Sequence, residues 1–347
     1  MKYFFFSFLF ALSALSSQAK IWRVNNNPGV VADFTNFADA VAAATAGDTI
    51  HLEPSVSNYG TNSITLAKRI TVIGLGYFLD PSSTAEPANT GLQAATKDGR
   101  LDFFRIGAGA DGSRFIGINI AGGAYFVGGA NISFEKVYFS SGCYFENGTN
   151  DAYSFRKCFF NNGVSISMSG TAVVTNFVAE NNIFYNGAFT SLAALSGSGN
   201  IFRNNTIIGG NAFAMSNTYI ANNIFGTTSA CVFTNSTIKN NLFQSNQVLP
   251  GTATANLVNV DMTTVYQGGT TGSLDSRAAL KAGSPAIAGG LTVGAVTTPD
   301  CGAFGATDPY KLSGIPNTPS IYSLSVPTSI PSGSTSMSIG FSTRNNN

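Results

Sequence analysis

The sequence predicts an all-β fold: a right-handed parallel β-helix of about 10–12 coils, with an N-terminal capping helix and a short C-terminal β segment. Three observations lead there. An apolar–polar–Asn-Asn–x–apolar unit recurs at Asn181-Asn182-Ile183-Phe184, Asn204-Asn205-Thr206-Ile207, Asn222-Asn223-Ile224-Phe225 and Asn240-Asn241-Leu242-Phe243, in steps of 23, 18 and 18 residues. That step is too short for helix-pair repeats and suits one turn of a β-solenoid. Segments such as Ser154-Phe155-Arg156 and Thr237-Ile238-Lys239 alternate with period two, the mark of short half-buried strands. A column just before the repeated pair reads Glu135, Arg156, Glu180, Arg203, Ala221, Lys239, and its first four members alternate in sign. In a parallel stack these would sit one above another on the solvent face, where opposite charges on adjacent strands are mildly favourable.

Each element follows in chain order. Lys2, the apolar run Phe4 to Leu15 and the small residues of Ser17-Gln18-Ala19 form an export signal over 1–19, shorter than a membrane span. Phe34, Phe37, Ala38 and Val41 share one face of a helix between Asp33 and Ala44, with Thr35 or Asn36 as N-cap; this helix would close the first coil. Gly47-Asp48-Thr49-Ile50 turns into the first strand, and weaker repeat copies appear at Lys136-Val137-Tyr138-Phe139 and Lys157-Cys158-Phe159-Phe160. The recurring Asn serves a corner, where its backbone tolerates a left-handed turn, and an amide ladder from coil to coil. Stacking is expected to run to Gly302-Ala303-Phe304-Gly305, giving a β-helix domain over 20–312. Residues 313–347 then form a linker and either a β-hairpin, from Ile321 to Val326 and Met337 to Thr343 around Pro331-Ser332-Gly333, or an attachment segment.

Composition narrows the partners. Without Lys2 the chain holds 17 basic and 17 acidic residues, and charged residues are 10% of the whole. No basic stripe marks nucleic-acid binding, and no global field draws in a polyanion. Cys158 falls where other coils carry Val137, Asn182 and Asn205, and Cys301 where an aliphatic residue would pack. Both read as small buried hydrophobes, with a single bridge among the four cysteines as the alternative, since sequence does not fix pairing. His51 is the single histidine, so zinc ligation and a serine-esterase triad find little support.

Phe37-Ala38-Asp39-Ala40-Val41 with Gly47-Asp48-Thr49-Ile50, the Asn-Asn pairs and Gly283-Ser284-Pro285-Ala286-Ile287 resemble the secreted bacterial pectate-lyase-like right-handed β-helix proteins. The resemblance covers about residues 20–310 and is specific for fold. It implies a secreted or cell-surface monomer facing polysaccharide or a surface glycan, with lyase chemistry foremost. Proteins of this shape also include hydrolases and non-catalytic surface or adhesive proteins, and fold alone does not choose among them. The adjacent acid pair, Gly-His-Gly and Arg-Ile-Lys elements of the polygalacturonases are absent. A lyase would need a Lys or Arg base and Ca²⁺ or another cation beside the substrate carboxylate. Asp102, Arg105, Glu146, Asp151, Arg156 and Lys157 are the residues that folding could gather for it. The sharpest local candidate is the loop Cys143-Tyr144-Phe145-Glu146-Asn147-Gly148-Thr149-Asn150-Asp151-Ala152-Tyr153, with Tyr125 one coil earlier. Tyr125, Tyr144, Glu146, Asp151 and Tyr153 combine aromatic faces with carboxylates, the usual means of gripping a sugar ring.

Overall fold

The computed structural model describes residues 19–344 apart from 61–63, 90–91, 93–95, 162–163, 186–188 and 211–212. The expected export signal lies outside the described residues, apart from Ala19. Parallel strands stack into a ten-stranded sheet, a fourteen-stranded sheet and a three-stranded sheet that fills one corner. This is the parallel β-helix that the repeat predicts. About eight turns carry strands in both large sheets, short of the 10–12 coils expected.

The alternating charges form the column that their spacing predicts. Glu135, Arg156, Glu180, Arg203, Ala221 and Lys239 are successive partners in the ten-stranded sheet. Arg156 reaches Glu180 at 2.5 Å, and Arg203 pairs with the same carboxylate from the other side. Inward, aromatic rings repeat the coil step: Phe139, Phe160 and Phe184 stack in sequence at 4.8 and 4.6 Å between centroids, nearly parallel.

Each Asn-Asn pair divides two tasks between its members. The second Asn is buried and builds the ladder. Asn182 Nδ2 donates to Asn205 Oδ1 at 2.9 Å, Asn205 to Asn223 at 3.0 Å, Asn223 to Asn241 at 2.9 Å and Asn241 to Asn256 at 2.9 Å. Every Oδ1 also accepts the backbone N–H of the Asn above it. Cys158 tops this column, its N–H donating to Asn182 Oδ1 at 2.8 Å. The first Asn sits at the corner with positive φ: Asn181 at 55°, Asn204 at 53°, Asn222 at 57° and Asn240 at 51°. Lys136 and Lys157 occupy the same corner upstream at 55° and 54°, a conformation that costs a non-glycine residue about 1 kcal/mol.

What holds those corners is a segment the sequence places wrongly. Stacking does not continue to Gly302-Ala303-Phe304-Gly305. The last strand is Leu242–Phe243, followed by isolated parallel bridges at Thr254 and Leu257. The chain then reverses as a strap that climbs back along the corner column. Asn240 donates to Gly289 O, Asn222 exchanges two bonds with Leu291, Asn204 donates to Asp300 O, and Asn181 donates to Ala303 O and Gly305 O. Further up, Lys157 pairs with Asp308 at 2.6 Å and Lys136 donates to Ile315 O at 2.9 Å. Within the strap, a tight fold requires Gly305, since a Cβ there would meet Asp300 O at 1.9 Å. Beneath the strap, Tyr77, Phe78, Tyr138, Phe159, Ile183 and Tyr310 form a second apolar cluster on the outside of the fourteen-stranded sheet.

At the N-terminal end the helix spans Phe37–Ala43, capped by Asn36, whose Oδ1 accepts from Asp39 N at 2.8 Å. It buries Phe37, Ala40 and Val41 against the first coils. Asp48 of the Gly47-Asp48 turn accepts from Lys20 N, Thr45 N and Trp22 Nε1, which fastens the first strand to the helix exit. At the other end Ser320–Ser325 pairs antiparallel with Gly340–Arg344, and Ile321, Leu324 and Phe341 are exposed on that hairpin. All four cysteines are buried and free. Among the described residues no helix is long and apolar enough to cross a membrane.

Candidate functional site

The coil step sets Tyr125 and Tyr144 in one outward column. The strands Arg100–Ile106, Asn119–Phe126, Cys143–Phe145 and Val164–Met168 are neighbours in the fourteen-stranded sheet, and register aligns Arg105, Tyr125, Tyr144 and Ser167. The inward column beside them, Ile106, Phe126, Phe145 and Met168, is the core. Tyr125 and Tyr144 stack at 4.9 Å with 20° between their planes, both half-buried. Phe103 meets Tyr125 edge-on at 5.0 Å. The Arg105 guanidinium lies 5.0 Å from the Tyr125 centroid, a cation–π contact, and is ion-paired with Glu146. Arg105 thus closes one end of the aromatic column. At the other end stands Ser167, too small to cover the second face of Tyr144.

A backbone irregularity explains why Phe103 joins this shelf. The register shifts between Leu101 and Phe103, so Asp102 and Phe103 both point outward while Phe104 returns to the core. Opposite them the next strand carries Gly122 and Gly123. A Cβ at Gly122 would lie 2.4 Å from Asp102 O, and Gly123 has φ of 127°. With Gly142 one coil further on, the middle of this face is a floor without large side chains.

The floor leads to a cleft of ≈ 260 Å³ built by residues 78–86, Lys97 and Asp98, the segment around Ser55 and the start of the Arg100–Ile106 strand. Arg100 bonds Glu86 at 3.1 Å and Asp98 at 3.3 Å. Burial opposes its charge, but Asp98 and Glu86 outweigh burial and raise its pKa. Tyr138 donates to Glu86 and accepts from Asn161 Nδ2 at 3.1 Å, and Asn119 donates to Asp98 at 2.6 Å. Lys97 pairs with Asp80 and, by its hydrogen bond, holds that carboxyl at about 2. These acids are committed to partners, and among the described residues no group of three or more His, Cys, Asp or Glu is arranged to hold a metal. The residues of this face do not fit a calcium ion.

Of the residues singled out by sequence, the structure brings Tyr125, Tyr144 and Glu146 together. Asp151 lies on the corner sheet, where it accepts from Thr175 Oγ1 at 2.6 Å and Asn176 Nδ2 at 2.7 Å. Tyr153 is fully buried, its hydroxyl donating to Gly128 O at 2.7 Å. The corner at Ala152, with φ of 53°, turns Tyr153 inward, so it is a core residue and offers no face to a ligand. Nor do the six residues considered for a lyase converge. Asp102, Arg105 and Glu146 share this face, whereas Arg156 is on the ten-stranded sheet and Lys157 at the strap. His51 is half-buried on the outside of the first coils between Arg23 and Ile73, its pKa lowered by burial. Sequence reasoning missed Phe103 and the cleft residues Asp80, Glu86, Lys97, Asp98 and Arg100.

No family model and no curated protein matches this chain. Among solved structures, that of pectate lyase Pel9A is similar at 16% identity with a TM-score of 0.37, over 84% of this chain and 98% of that one. The parallel β-helix itself is established by strand order and register.

Proposed function

We propose that this β-helix binds polysaccharide on the outer face of its fourteen-stranded sheet, at the shelf formed by Phe103, Tyr125 and Tyr144. The observation that carries the reading is the Tyr125–Tyr144 column, closed by Arg105 at one end and open over Ser167 at the other. An uncovered aromatic face accepts the C–H face of a sugar ring, while Glu146 and Ser167 beside it exchange hydrogen bonds with hydroxyls. A rigid stack of coils fixes these groups without a large ordering cost on binding. Binding is favoured over β-elimination for a chemical reason. Elimination requires a cation to stabilise the substrate carboxylate and a free base to take the proton. Lys97, Arg100 and Arg105 line this face, and each already faces a carboxylate.

Affinity electrophoresis through gels containing polysaccharides tests the reading. The native protein is expected to be retarded by at least one glycan. Tyr144→Ala is expected to lose the retardation, while unfolding in urea remains near that of the parent. Retardation that persists in Tyr144→Ala and Tyr125→Ala would place the binding face elsewhere.

A further inference from the structure

The charges on this face specify which kind of polysaccharide it takes, an inference that rests on the binding reading above. Five carboxylates, Asp80, Glu86, Asp98, Asp102 and Glu146, border the cleft, floor and shelf, against three cations, Lys97, Arg100 and Arg105. Each cation is engaged: Lys97 by Asp80, Arg100 by Glu86 and Asp98, Arg105 by Glu146. From these observations we infer that the ligand is a neutral, hydroxyl-only polysaccharide lying across the floor from the Tyr144 shelf to the Arg100 cleft.

The argument is one of displacement. A polyuronate brings a negative charge with each sugar to a surface where acids outnumber bases. To gain a cation it would have to separate an existing pair and would then face the carboxylate so released. These pairs are part-exposed, so the pair energy lost is modest, and the repulsion from the unpaired acid adds to it. A neutral sugar leaves the pairs intact. Carboxylate lone pairs not used by the arginines accept hydroxyl protons, and bonds to charged groups are stronger than neutral ones. Ser140 and Asn161 stand along the same route as further polar partners, and Ser140 Oγ donates to the buried Asn119 Oδ1 at 3.1 Å beneath them. Arg100 and Arg105 are five residues apart on one strand, so cleft and shelf lie roughly 17 Å from each other. The glycine floor at Gly122 and Gly123, with the Asp102 carboxylate over Gly122, bridges that span. The ligand is therefore several sugars long.

The test is calorimetric titration of the intact protein with xylan, galactan and glucomannan oligosaccharides, with polygalacturonate and alginate, and with chitosan oligosaccharides, each at low and high salt. Expected is binding of a neutral oligosaccharide about tenfold or more tighter than any charged one, little changed by salt, and abolished in Tyr144→Ala. Tighter binding of polyuronate or chitosan that weakens with salt and still requires Tyr144 would overturn the neutral class and leave the binding face standing. Absence of binding across the whole panel would overturn both.

Discussion

Replacing Asn205 by Ala probes the ladder that holds successive coils in register. Its side chain makes four bonds in a fully buried setting. Nδ2 donates to Ala179 O and Asn223 Oδ1, and Oδ1 accepts the backbone N–H and the Nδ2 of Asn182. Asn182 Nδ2 keeps Phe155 O, and Asn223 Oδ1 keeps the Asn205 N–H. The Asn182 N–H and the Ala179 carbonyl lose the bonds that Asn205 supplies. At about 1–3 kcal/mol for each buried group stripped of a partner, plus a small void, the loss comes to roughly 3–5 kcal/mol. With an m-value near 3 kcal/mol/M, the urea midpoint by far-ultraviolet circular dichroism should fall by roughly 1–1.5 M. Asn147→Ala, on an exposed turn, should stay within about 0.5 kcal/mol of the parent. Asn205→Asp separates bonding from packing. It keeps an acceptor for Asn182 but sets a second oxygen against Ala179 O and Asn223 Oδ1. Its stability should therefore fall as pH rises above the ordinary carboxylate range and recover partly in acid. An Asn205→Ala midpoint equal to that of Asn147→Ala would refute the ladder as a stabilising device.

Three further outcomes follow from the same structure. Asn222→Gly keeps the positive-φ corner but loses both bonds to Leu291, so limited proteolysis should cut the strap near residues 291–305 faster than in the parent; Asn222→Ala adds about 1 kcal/mol of backbone cost and should be less stable still. Burial alone would raise the Asp48 pKa, but N–H donors from Lys20, Thr45 and Trp22 hold it at about 2. Because the folded value lies below the unfolded one, Asp48 stabilises the fold above the ordinary carboxylate pKa and loses that contribution as pH falls toward 2. Asp48→Asn should flatten this acid limb in a pH series of thermal melts. The four thiols are pushed up by burial, Cys158 and Cys301 to about 12 and Cys231 to about 11, so a thiol reagent at mildly alkaline pH should label the native protein slowly and all four sites after unfolding without reductant. Fewer than four labels in the unfolded chain would contradict the free-thiol assignment.

Sequence revealed what repeats from coil to coil. The charge column from Glu135 to Arg203 and the Asn ladder were legible because a parallel stack turns a fixed step along the chain into contact in space. Tyr125 and Tyr144 could be paired for the same reason. The strap was not legible. Its bonds join irregular backbone to corner side chains 49 to 179 residues away, a relation with no period. Gly302-Ala303-Phe304-Gly305 looks like the end of a coil because close backbone approach and tight turning both select glycine. The strap also explains Lys136 and Lys157 at left-handed corners, where Asn would be expected. Their long side chains reach Ile315 and Asp308. Tyr153 was read as part of an outward loop, and the positive-φ corner at Ala152 that turns it into the core has no mark in the sequence. Phe103 was overlooked for the converse reason, since the register shift after Leu101 turns it outward. The cleft depends on a loop fixed from far along the chain: Asn89 donates to Asp275, 186 residues later.

Hydroxyl-radical footprinting with a bound oligosaccharide tests the central claim most directly, because it reads each aromatic side chain in the unaltered protein. The account predicts that Phe103, Tyr125 and Tyr144 are oxidised more slowly when the glycan is present, while Tyr219, half-buried on the ten-stranded sheet, is unaffected. Unchanged oxidation of Tyr144 together with protection of Tyr219 would contradict it and move the binding face to the opposite side of the β-helix.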